Sequence, residues 1–206
     1  MLKIAVTKGR IERDFCKLLE RSGYDISPIL NKDRKLIIDT KDGVEYVFVK
    51  ASDVTTYLDY GVVDLGVVGK DSLIEKDCSK YVELADLKIG KCKFCLASKG
   101  DYKSKKFEGK EVIATKYPKL TKQFFSKKSS KVDIVNLNGS IEVAPVLDMA
   151  DAIVDLVETG DTLRANGLEI IEEICDVSTR LVANKDVADV KKDEFNNFVK
   201  SLKIDM

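Results

Sequence analysis

The chain contains no histidine. That absence removes imidazole bases, histidine-assisted nucleophiles and histidine metal ligands from consideration together. Long apolar runs are missing too. Nothing approaches the roughly 18 consecutive apolar residues of a membrane helix, and the opening MLKIAVTKGR holds only a strand-length run, too short for a secretion signal. Neither sign of charge is in surplus: Lys+Arg and Asp+Glu stand at 35 each in 206 residues. A global basic field of the kind that gathers nucleic acid is therefore excluded, and any anion site must be local. Cysteines number five, odd and without a secretory signal, which points to free thiols in a reducing cytoplasm. Cys92 and Cys95 form a CxxC, but no second CxxC supplies the remaining ligands of a zinc site. Inside a strand pattern, positions i and i+3 also face opposite sides of the sheet.

What is present is a hydrophobic share of 44%, enough in a chain of this length to bury a real core. Strand and helix periodicities alternate along it. Strands are predicted over residues 3–6, 35–39, 44–50, 62–68, 89–97, 112–115, 132–137, 152–157, 169–173 and 180–183. Helices are predicted over 10–22, 53–60, 70–76, 119–127, 141–147 and 191–202, several stopped by glycine. This alternation argues for an α/β architecture with mostly parallel sheets. The polar segment 99–110 reads as a surface loop.

Three strand-to-helix junctions carry chemistry. Thr7-Lys8-Gly9-Arg10 places a glycine and two cations at the end of the first strand, where open α/β sheets bind ligands; a plain glycine turn with solvated charges fits it equally well. Asp64-Leu-Gly66-Val-Val-Gly69-Lys70 repeats the pattern, with Gly66 as either a ligand-approach or a packing glycine. VDLVETGDTLRANG, residues 154–167, says more. Thr159, Gly160, Asp161, Thr162 and Leu163 offer backbone amides and two hydroxyls, which suit a phosphate monoester. Asp155 and Glu158 suit a ribose diol or a hard divalent cation. Together they describe a sugar phosphate; the bland alternative is a capped turn with solvated acids.

The blocks TKGRI, RKLIIDT, VKASDVTTYLDYGVVDLGVVGKD, IATKYP, LNGSIEVAP and ADAIVDLVETGDTLRANGLE, in this order, cover essentially the whole chain. With them the sequence resembles the ATP phosphoribosyltransferases of histidine biosynthesis in their short form. That resemblance implies a two-lobed fold like type II periplasmic binding proteins with a cleft between the lobes. Lobe I is expected at 1–87 plus 174–206, and lobe II, carrying the loop for phosphoribosyl pyrophosphate (PRPP), at 88–173. It implies transfer of phosphoribosyl from PRPP to N1 of ATP with release of pyrophosphate, dependent on Mg²⁺. It further implies a homodimer inside a hetero-octamer with a regulatory subunit related to histidyl-tRNA synthetase, since the chain leaves no room for a C-terminal regulatory domain. On this resemblance Asp155 and Glu158 would hold the ribose hydroxyls, directly or through Mg²⁺, and residues 159–163 the 5′-phosphate. Lys8, Arg10, Arg34 and Lys50 would surround the pyrophosphate and ATP phosphates, with Gly9, Asp64, Gly66 and Tyr117 on the ATP side. The chain departs from the family pattern at Lys50, Thr55 and Asp148, where arginine, proline and glycine are common. Lys50 keeps the charge and loses the bidentate fork.

Overall fold

A computed structural model describes residues 1–76, 78–104 and 109–204. Part of the segment read as a surface loop, residues 105–108, lies outside the described residues. The chain divides into two compact units, Met1–Gly90 with Ser178–Met206, and Lys91–Val177.

The first unit is built on six strands: β1 (Leu2–Thr7), β2 (Ile37–Asp39), β3 (Val44–Val49), β4 (Leu65–Gly69), β5 (Tyr81–Asp86) and, arriving last in the chain, β11 (Thr179–Asn184). Their order is β2-β3-β1-β4-β11-β5. Helix α1 (Arg10–Ser22) forms because Phe15, Cys16 and Leu19 recur on one face and bury there. It starts at Gly9, whose amide donates to the Glu12 carboxylate (3.3 Å), and stops at Gly23, left-handed at φ 95°. Beyond it come α2 (Ser27–Leu30), α3 (Ala51–Asp59) and α4 (Lys70–Glu75). Phe15 meets Tyr46 edge-on at 6.3 Å in the core between α1 and the sheet. Burying an aromatic side chain of this size contributes about 2–3 kcal/mol.

The second unit holds β6 (Cys92–Ser98), β7 (Glu111–Thr115), β8 (Val132–Asn136), β9 (Ala152–Val157) and β10 (Glu169–Val177), in the order β10-β6-β9-β7-β8. Helices α5 (Pro118–Lys127), α6 (Val143–Val146) and α7 (Asp161–Ala165) follow β7, β8 and β9 respectively. The chain then returns to the first unit and ends with α8 (Lys185–Ala188) and α9 (Lys192–Ser201). Among the described residues, no helix is long and apolar enough to cross a membrane.

Three expectations need correction. Both sheets are mixed rather than mostly parallel: β1 runs parallel to β3 and β4, and β7 to β8 and β9, while the other pairings are antiparallel. The strands that follow the two unit crossings, β6 and β11, run against their neighbours β9 and β4. The strand expected over 89–97 begins only at Cys92, because Lys88 (φ 54°) and Gly90 (φ 58°) break extended backbone before it. Strand β4 starts at Leu65 rather than residue 62, which leaves Asp64 outside it. As for the CxxC, Cys95 is buried in β6, where loss of solvent pushes its thiol up to about 11, and Cys92 is half-buried. Such a thiol is a packing group at neutral pH.

Candidate active site

In each unit the parallel strands end on residues with binding chemistry. In the second unit β9 delivers Asp155 and Val157, and the chain then turns through Glu158, Thr159 and Gly160 into α7. Gly160 adopts φ 77°, ψ 7°, a left-handed conformation that side chains disfavour. Thr159 donates its hydroxyl to Asp161 (2.6 Å), and the amide of Asp161 points back to that hydroxyl at 3.4 Å. Arg164 pairs with the same carboxylate one turn on. The Thr159 hydroxyl and then Arg164 hold the Asp161 carboxyl below the usual range. The first helical hydrogen bond runs from Arg164 to Gly160 (3.0 Å), so the amides of Thr162 and Leu163 precede any helical acceptor. Leu163 anchors the turn in the unit's core beside Ile153 and Val157.

The ends of β7 and β9 are tied by a buried polar lattice. Thr115 donates to the carbonyl of Val154 (2.7 Å) and accepts from the amide of Tyr117 (2.9 Å), while Thr121 donates to the carbonyl of Tyr117 (2.8 Å). These bonds lock the ends of β7 and β9 side by side. Buried and satisfied, they make these strand ends rigid. A pocket of about 210 Å³ is lined by Glu142 and the run Asp155–Leu163. Glu142 goes unassigned from sequence; its one signal is its place in the LNGSIEVAP block. Among the described residues no three carboxylates or thiols converge as a ready metal cage. Asp155 and Glu158 are hard oxygen donors that fit Mg²⁺ as a partial set completed by ligand oxygens.

In the first unit Thr7 pairs with Val49, so Lys8 and Lys50 leave the sheet next to each other, and the amide of Lys8 donates to Val49 (2.9 Å). Gly9 turns at φ 92°, and Arg10 opens α1 with its guanidinium donating to the Gly90 carbonyl (3.3 Å). The amide of Phe48 donates to the Leu36 carbonyl (2.8 Å), which brings the chain before β2, with exposed Arg34, to the same end of β3. Lys8, Arg10 and Lys50 thus follow the C-terminal ends of β1 and β3, the end to which the segment carrying Arg34 also comes.

Three predicted residues do not reach such a place as expected. Asp64 sits at the opposite end of β4, accepting from the Lys3 amide (2.9 Å) and paired with Lys191 (2.7 Å). Gly66 is buried in β4, where a Cβ would lie 2.7 Å from Val54 of α3, so it is a packing glycine. Tyr117 stands at the right end of β7, but its ring is buried edge-on against Phe94 at 4.8 Å.

The fold first defines a class. At 13% identity the chain matches the aliphatic sulphonate binding protein SsuA of Escherichia coli with a TM-score of 0.61, over 98% of this chain and 70% of that one. The architecture is therefore the two-lobed α/β fold of periplasmic-binding-protein-like domains. The family is narrower. The model of the ATP phosphoribosyltransferase family HisG matches residues 50–204. The ATP phosphoribosyltransferase of Lactococcus lactis is 47% identical over 98% of this chain and 97% of its own length, and that of Listeria monocytogenes 51% identical over 89% and 86%. The ATP phosphoribosyl transferase (HisG:HisZ) complex of Thermotoga maritima superposes with a TM-score of 0.80 at 32% identity, covering 98% and 97%. The chain belongs to the ATP phosphoribosyltransferase family, pentosyltransferases that open histidine biosynthesis.

Proposed function

We propose that this ATP phosphoribosyltransferase divides its substrates between two groups of residues. The turn Glu158–Leu163 with Asp155 holds the phosphoribosyl half of PRPP, which is transferred. Lys8, Arg10, Arg34 and Lys50, with the backbone at Gly9, hold the pyrophosphate that leaves and the phosphates of ATP. The observation that carries this reading is the pocket after β9, which Thr159, left-handed Gly160, Thr162 and Leu163 line together with Asp155 and Glu158.

The chemistry asks for position and charge more than for a base. Cleavage at C1 of the ribose builds positive charge on the sugar and negative charge on the departing pyrophosphate. The attacking N1 of adenine is a neutral nitrogen, so a chain without histidine loses nothing at that step. Thr159, Thr162 and the amides fix the 5′-phosphate and with it the ribose. Asp155 and Glu158 orient the hydroxyls and face the growing positive charge. Cations after the C-terminal ends of β1 and β3 favour the leaving anion. Asp155 or Glu158 would hold Mg²⁺, which would supply neutralisation of phosphate charge. The proposal includes a cytoplasmic setting, and a regulatory subunit related to histidyl-tRNA synthetase in a hetero-octamer; the complex with HisZ in the Thermotoga maritima relative supports that partner.

Replacing both loop hydroxyls, Thr159→Leu with Thr162→Leu, is expected to raise the KM for PRPP about tenfold or more while leaving the KM for ATP within about threefold. Pyrophosphate release from ATP, PRPP and Mg²⁺, with and without the partner subunit, measures both. Wild-type PRPP kinetics in the double variant would sink the loop assignment.

A further inference from the structure

We propose that Glu142 accepts a ribose hydroxyl in the phosphoribosyl pocket and sets its preference for ribose over 2-deoxyribose; this rests on the assignment of that pocket made above. Glu142 stands immediately before α6, which packs on β9, and it lines the same pocket as Asp155 and the turn 158–163. It is half-buried, and its side chain makes no capping hydrogen bond to its own helix. Among the described residues, no hydrogen bond or ion pair engages its carboxylate. Of the other acids in the pocket, Asp161 is already taken up by Thr159 and Arg164.

A free carboxylate on the wall of a phosphate pocket is a cost unless the ligand gives it something. Like charges repel, and partial burial strengthens the repulsion. A phosphoribosyl group in neutral solution has phosphate and ring oxygens that only accept, and its hydroxyls are its donors. An unengaged carboxylate lining this pocket therefore fits as an acceptor for a hydroxyl. Removing one hydroxyl from the ligand leaves that carboxylate facing the anion without compensation, worth about tenfold to a hundredfold in affinity.

The full-length chain is titrated calorimetrically with ribose 5-phosphate and with 2-deoxyribose 5-phosphate, in buffer free of divalent metal so that a metal bridge cannot contribute. The wild type is expected to bind the ribose ligand at least about tenfold more tightly, and Glu142→Ala to shrink that preference below about threefold. Its affinity for the deoxy ligand should stay within about threefold, and Glu142→Gln should restore part of the preference. No preference in the wild type, or a tenfold preference kept in Glu142→Ala, overturns the role. Equal loss of both ligands in Glu142→Ala does so too, since it marks a packing residue. The double loop variant separates the two levels: it should lose both ligands alike. If it binds both as the wild type does, the pocket assignment fails, and the role of Glu142 falls with it.

Discussion

At Gly160 the backbone turns through φ 77°, and an added Cβ would meet the Arg164 guanidinium at 3.0 Å. An ordinary L-residue in this region costs about 1–2 kcal/mol, and asparagine costs less than alanine because its short amide tolerates the left-handed region. Gly160→Ala is thus expected to destabilise the protein by about 1–2 kcal/mol, with Gly160→Asn milder, in urea unfolding. Both should raise the KM for PRPP, alanine more. Equal effects of the two on stability would show that backbone strain is not the cause. The same residue shows what can be read locally. A glycine between two threonines after an apolar strand is a local signal, and the turn from β9 into α7 was legible for that reason. Asp64 followed the same logic and failed. Whether an acid lies before or after a strand is decided by where pairing begins, here Leu65 against Ile4, and that partner is some sixty residues away. Glu142 was illegible for a related reason: its neighbours in the pocket come from β9 and α7.

Among the elements, the segment joining α6 to β9 shows a different kind of cost. Asp148 sits there at φ 54°, in the left-handed region that favours glycine. Its ion pair with Lys99 (2.7 Å) is largely exposed, so it offsets little of the strain. Asp148→Gly is expected to stabilise the second unit by about 1 kcal/mol, seen as a higher urea midpoint at unchanged slope. A lower midpoint would show the ion pair outweighs the backbone term. Element type came through well from sequence where apolar spacing was regular, as in α1 and α5. It failed at β5, whose Tyr81–Asp86 run mixes two acids into six residues and, among the described residues, pairs with β11, nearly a hundred residues on. Pairing partners so distant leave no periodic trace, which is also why the sheets read as parallel when half of their logic is antiparallel.

At the scale of the whole molecule, the first unit holds both ends of the inserted one. The amide of Thr179 donates to the Ile89 carbonyl and that of Leu87 to the Thr179 carbonyl, each at 3.0 Å. Asp86 gathers the Lys88 amide (2.9 Å), the Ser178 hydroxyl (2.8 Å) and Arg180 (2.9 Å) at this junction. Burial alone would raise its pKa, but those three partners outweigh burial and lower it. A carboxyl depressed in the folded state stabilises above its unfolded pKa, about 3.9, and loses that contribution as pH falls through the folded value. Asp86→Asn is expected to cost about 1 kcal/mol at pH 7, discounted for its partial exposure. The gap to wild type should close as the pH drops below about 4. Urea titrations across pH 7 to 3 check it, and a gap that stays constant would rule out the charge as its source.

That junction also has a consequence for how the protein is born. Strand β11 lies between β4 and β5, yet it is synthesised after the entire second unit. On the ribosome the first sheet waits, split, with β5 lacking its strand neighbour, while Lys91–Val177 is already whole. The unit that begins first therefore finishes last. The waiting strand edges are exposed for the time it takes to make 87 further residues, so translation speed and chaperone access bear on the first unit far more than on the second.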